Sequence, residues 1–279
     1  MTVSILLFGA VLWGISWWPL KYFGAHGLSG ALMVVASYGV VGIFALPTLW
    51  LQRQRWRSQT GLLVLIALLG GWSNIAFVTA LISGNVVRVM LLFYLAPVWG
   101  VLGGRIFLRE HITPKRWFAV GLSMAGAFVL LGGVSAFSTP LDLVDVLALS
   151  AGLTFALNNV TTRAAQRIPM TSKVFVVFLG CAILASSVAL LQGARFPSLA
   201  GGTWGLILVF AFTWLLLATL AIQYGVTHME AGKASILLIF ELIAALVSAV
   251  LIGGEAISQH EWLGGALIAS AALIEARSQ

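Results

Sequence analysis

Six stretches of the chain, at 1–20, 22–52, 58–87, 117–141, 174–194 and 196–229, each run for 20 residues or more without a Lys, Arg, Asp or Glu. About 20 apolar residues carry a helix across a bilayer, so each stretch can hold a transmembrane helix. Membrane strands would need alternating polar and apolar positions over ~10-residue segments, and these runs are continuous. Only 8% of the residues are charged, against roughly 25% in soluble domains. That excludes a soluble enzyme, a nucleic-acid-binding domain and a disordered tail.

Breaks at charged and Gly/Pro-bearing positions predict ten spans, at 3–21, 31–51, 60–82, 86–107, 116–133, 144–163, 172–191, 203–227, 233–252 and 261–276. The N-terminal segment MTVSILLFGAVLWGISWWPLK has no basic leader and no small-residue cleavage site, so it is expected to stay as the first helix. With the N-terminus in the cytoplasm, twelve basic residues fall on the inner side: Arg53, Arg55, Arg57, Arg105, Arg109, Lys115, Arg116, Arg163, Arg167, Lys173, Lys233 and Arg277. Three, Lys21, Arg88 and Arg195, fall on the outer side. This segregation follows the positive-inside rule and predicts both termini in the cytoplasm. One missed span would reverse every later loop and destroy the pattern. The net charge of +7 is therefore a topological signal, with no nucleic-acid partner implied.

Shifting the chain by 145 residues brings Arg88 onto Lys233, Gly100 onto Ala245, Gly104 onto Ala249, Glu110 onto Glu255, Thr113 onto Ser258 and Trp117 onto Trp262. Spans 4 and 5 thus repeat as spans 9 and 10, giving units of five spans at 1–137 and 138–279. An odd number of spans per unit makes the second enter the membrane from the opposite side. The predicted fold is an all-α polytopic membrane protein of ten helices, a five-plus-five inverted-topology repeat such as secondary transporters use to build a midplane site.

Phe93-Tyr94-Leu95-Ala96-Pro97-Val98 followed by Phe107-Leu108-Arg109-Glu110 resembles the motif that closes the first half of the drug/metabolite transporter superfamily, in its ten-helix EamA-type branch. Phe240-Glu241-Leu242 with Gly253-Gly254-Glu255, and Trp13-Gly14 with Lys21, resemble further parts of it. The resemblance implies a central cavity lined mainly by helices 1, 3, 4, 6, 8 and 9, and movement of small metabolites, most often export. Leu242 stands where the family commonly has proline, which leaves a proline-induced helix break expected only at Pro97.

Glu241 is a carboxyl midway along span 9. Such a group at membrane depth costs several kcal/mol unless it faces a cavity, finds a partner or takes up a proton. It reads either as a proton-coupling or cation-binding group, or as a tie between helices. Arg88 and Lys233 read as gate charges or contacts for a substrate anion, or as side chains snorkelling to the headgroups. Asn74 on span 3, Asn158 on span 6 and Tyr224 on span 8 face the bundle, either to hold a solute or to bond across helices. Trp13, Trp17 and Tyr94 offer ring surfaces for stacking, whereas Trp18 belongs to the interfacial belt. The candidate substrate contacts are thus Trp13, Trp17, Asn74, Arg88, Tyr94, Asn158, Tyr224 and Glu241, the last also the coupling group.

No cofactor or metal site is predicted: Cys181 is the only cysteine, and His26, His111, His228 and His260 have no ligand-like spacing. Gly232-Lys233-Ala234 lacks the rest of a phosphate loop, so ATP hydrolysis is not expected. The reading is a non-enzymatic, multi-pass secondary transporter of a bacterial-type inner membrane, monomeric before dimeric. It would export an amino acid or similar amphipathic solute by alternating access, with protons as a candidate coupling ion. Uptake or uncoupled diffusion is the alternative, and a membrane-embedded enzyme or channel a remote one.

Overall fold

A computed structural model describes residues 1–28, 30–83, 86–134, 140, 142–254 and 258–277, and only the main chain of residues 82 and 86–88. The described residues form an all-α polytopic membrane fold without strands. Its helices are α1 (Thr2–Ala25), α2 (Gly30–Leu51), α3 (Thr60–Ser83), α4 (Val86–Phe93 and Ala96–Leu108), α5 (Pro114–Leu130), α6 (Leu143–Ala164), α7 (Met170–Leu191), α8 (Gly201–His228), α9 (Ala231–Leu238 and Glu241–Leu251) and α10 (Gln259–Arg277). All but α5 and α10 are long and apolar enough to cross a membrane by length and composition. Those two pack along each other, and Gly126 and Gly264 make the close crossing: a Cβ on Gly126 would lie 2.9 Å from the Gly264 carbonyl. Large apolar side chains such as Phe44, Trp50, Phe118, Ile183 and Leu263 point outward, as lipid contact requires.

The repeat is written into the helix boundaries. The pieces beginning at Ala231, Glu241 and Gln259 start 145 residues after those beginning at Val86, Ala96 and Pro114. The caps match as well: Thr113 Oγ1 accepts the N–H of Arg116, and Ser258 Oγ accepts that of Glu261. Packing follows the same rule. Helices α2 with α7, α4 with α9, and α5 with α10 pair with their own counterparts, while α3 with α6 is repeated as α8 with α1. The 137/138 boundary and Glu255 lie outside the described residues.

Both α4 and α9 break mid-span, at residues 94–95 and 239–240, again 145 apart. Pro97 sits in the first turn after the α4 break, but α9 breaks with Leu242 in that place. There the turn tightens through bonds from Phe240 N to Leu237 O and from Leu242 N to Ile239 O. Each break also has a close neighbour. Gly14 of α1 meets the α9 break, where a Cβ would lie 2.5 Å from the Glu241 carbonyl oxygen, and Gly152 of α6 abuts the Phe93 carbonyl at the α4 break.

Helix α1 is itself interrupted at Ser16, because the ring of Pro19 clashes with the carbonyl four residues back and offers no N–H. Ser16 N bonds Trp13 O at 3.0 Å rather than the carbonyl of Leu12. The Leu12 oxygen instead accepts Trp214 Nε1–H at 2.8 Å, from a π-helical turn of α8 at Phe210–Leu215. A local break in one repeat is thus satisfied by a side chain of the other.

Candidate functional site

A cavity of about 140 Å³ lies in the middle of the bundle. Its wall comes from α1 (Trp13), α2 (Tyr38), α3 (Gly70, Ser73, Asn74, Phe77), α4 (Phe93), α6 (Phe155, Asn158, Asn159), α7 (Val177, Cys181), α8 (Thr219, Ile222, Gln223) and α9 (Glu241). Helices α2 and α7 therefore join the six that the sequence resemblance implied.

The wall is ordered in layers. Helices α3 and α6 run antiparallel: Leu63 and Ile66 cluster with Ile168 and Ala165, Ser73 bonds the Ala151 carbonyl at 3.0 Å, and Ala80 clusters with Ala148. Phe77 lies one turn after Asn74 and Phe155 one turn before Asn158, so both offsets lead to the same end of the cavity. The two phenyl rings meet there on Phe93, with centroids 4.4 Å and 5.5 Å from it. An aromatic layer thus stands one turn from an amide layer.

The amide layer is under-bonded. Asn74 Nδ2 donates to Tyr38 Oη at 3.1 Å, but Asn74 Oδ1, Asn158 Oδ1, Asn159 Nδ2 and Gln223 Oε1 are buried with no partner. Buried polar groups are nearly always satisfied, by protein or by something that enters. These four atoms belong to side chains that line one hollow, so a small rotation of each amide would offer it to a polar molecule there.

Glu241 opens the second piece of α9, so its carboxyl sits at the positive end of a half-helix. Tyr94, at the α4 break, packs in one cluster with Ile239 and Leu242, which lie on either side of Glu241. No ion pair to Glu241 occurs among the described residues. The cavity brings together Trp13, Asn74, Asn158 and Glu241, with Tyr94 just behind the carboxyl. Trp17 stands apart: its Nε1 donates to Ser248 Oγ of α9 at 2.9 Å. Tyr224 also stands apart, its ring 4.2 Å from that of His228. The side chain of Arg88 lies outside the described residues. The spacing had not singled out Tyr38, Phe77, Phe93 or Phe155, although Phe77 with Asn74 and Phe155 with Asn158 are three apart, the signal that would have found two of them. Among the described residues no His, Cys, Asp or Glu cluster suited to a metal occurs.

A second arrangement joins the repeats at one end of the bundle. The Glu110 carboxylate accepts the N–H groups of Ala231 and Gly232 at 2.8 and 3.3 Å, capping α9 from the segment after α4. Burial raises the pKa of Glu110, and the N–H bonds of Ala231 and Gly232 oppose that rise. Arg116 pairs with Glu230 and, through Nε at 3.0 Å, with the fully buried Glu275.

A family model described as EamA-like transporter family matches residues 1–132 and 142–275. An uncharacterized transporter of Vibrio cholerae serotype O1 is 27% identical, over 94% of this chain and 87% of that one. A riboflavin transporter of Rhizobium johnstonii is 29% identical, over 87% of this chain and 80% of its own length. One solved crystal structure superposes with a TM-score of 0.77 at 19% identity, covering 99% of this chain and 98% of the other.

Proposed function

This chain belongs to the EamA-like transporter family, and from that premise we propose that it is a secondary transporter exporting a small amphipathic solute across a bacterial inner membrane. The observation that carries the reading is the central cavity, where the breaks of α4 and α9 meet around unpartnered amides and one carboxyl. In this reading the units 1–137 and 138–279 enter the membrane in opposite senses, both termini are cytoplasmic, and rocking of one unit on the other opens the cavity alternately. The Glu110 cap and the Arg116 pairs, which lie on the side rich in basic residues, close the cytoplasmic end. Glu241 exchanges a proton in step with the solute, and one chain suffices.

The Rhizobium relative is named for riboflavin. A cavity of about 140 Å³ is close to the roughly 150 Å³ that holds a single benzene, so a three-ring flavin would need a wider state. The test is flux in proteoliposomes under an imposed pH gradient. The wild-type chain is expected to accumulate solute against its gradient, and Glu241→Gln to retain exchange but lose accumulation. Accumulation undiminished in Glu241→Gln would remove the coupling role.

A further inference from the structure

We infer that the central cavity selects a compact single-ring solute whose polar edge is neutral or cationic and rich in N–H groups, and that it rejects carboxylates. The inference rests on this cavity being the solute site, and deepens that reading by naming the class of solute.

Three observations converge. The first is size: about 140 Å³ is near the roughly 150 Å³ that holds one benzene ring, and the hollow is not sealed, so a small substituent on the ring can extend from it. The second is the layering, in which Phe77, Phe93 and Phe155 form one end. A ring against them gains aromatic contacts, and its polar edge then reaches the amide layer one turn away. The third is the polar inventory. Asn74, Asn158 and Gln223 each leave a buried oxygen unbonded, and Asn159 a buried nitrogen. Amide side chains pair with a mixed donor and acceptor edge, while Glu241 adds a carboxyl.

No Lys, Arg or His is among the described lining residues. An ionised Glu241 repels an incoming anion, and a protonated one leaves the anion desolvated without a counter-charge. Both states disfavour a carboxylate, which narrows the expectation of an amino acid: the carboxylate of a zwitterion finds no cation among the described lining residues. A neutral amide edge fits either state, and an amidinium or ammonium fits the ionised one.

Three probes of nearly equal shape separate these cases: benzamidine, benzamide and benzoate, titrated calorimetrically into the full chain in detergent. Benzamidine and benzamide are expected to bind, with benzoate at least roughly tenfold weaker than benzamidine. Glu241→Gln should weaken benzamidine relative to benzamide, and Asn158→Leu should weaken both. Benzoate binding as tightly as benzamidine, or no binding of any probe at millimolar concentration, would overturn the inference. The wild-type ranking decides even where a variant fails to fold. Counterflow of radiolabelled benzamide is read separately: a wrong ranking with counterflow removes only the solute class, and a correct ranking without counterflow removes only the transport reading.

Discussion

Tyr94 at the break of α4 and Leu242, directly after Glu241 at the break of α9, pack in one buried apolar cluster. Two half-helices from different repeats thus meet beside the cavity. Tyr94→Ala empties that place in the cluster, so the expected loss in thermal denaturation of the purified chain is about 3–5 kcal/mol, whereas Tyr94→Phe keeps the ring and should cost far less. Tyr22→Ala, at an exposed position, should change little. Equal effects from Tyr94→Ala and Tyr22→Ala would show that the contact contributes nothing.

Gly14 allows α1 to lie on the α9 break, where an added Cβ would stand 2.5 Å from the Glu241 carbonyl oxygen and 2.6 Å from Ala244 Cβ. Both obstacles belong to a packed helix and cannot swing aside. Gly14→Ala is expected to destabilise by about 1–3 kcal/mol and to weaken solute binding by displacing Glu241. Gly24→Ala, with open space around its Cβ, is the matched control and should not affect binding.

Arg116 is the cation that pairs with the buried Glu275. Arg116→Met takes this cation from the buried Glu275 and from Glu230, so it should lower stability by roughly 3–5 kcal/mol. Arg116→Met combined with Glu275→Gln should recover part of that loss, because the buried carboxylate that Arg116 paired is gone. A double variant no more stable than Arg116→Met would contradict the pairing argument.

Much of this was legible from the chain because bilayer physics leaves coarse marks. A carboxyl such as Glu241 stands out in an apolar run, and the 145-residue shift that aligned Thr113 with Ser258 also locates their caps. The break in α9 was hidden: Leu242 gives no sign of it, and the helix that packs against it there, at Gly14, lies more than 220 positions earlier. Phe77, Phe93 and Phe155 were silent for a related reason. In a span that is apolar on every side, an aromatic shows no preferred face until its neighbours are in place. Trp17 and Tyr224 illustrate the converse, for their polar atoms and rings are engaged by Ser248 and His228, away from the cavity.

That placement separates the two tryptophans of α1. Trp13 lines the cavity, and Trp13→Ala should weaken benzamide binding. Trp17→Phe, losing only its 2.9 Å bond to Ser248, should cost about 1 kcal/mol of stability and leave binding intact. Calorimetry on the two variants checks this, and loss of binding in Trp17→Phe alone would reverse the assignment.

Alternating access is tested most directly by reaching the cavity from each side of the membrane. Thr219 lines it and is the residue that the 145-residue shift sets against Asn74. A Thr219→Cys variant carrying Cys181→Ala, reconstituted in one orientation, can be exposed to a membrane-impermeant thiol reagent from outside or from the lumen. Labelling is expected from both faces, each slowed by benzamide. Labelling confined to one face, or absent from both, would contradict alternating access.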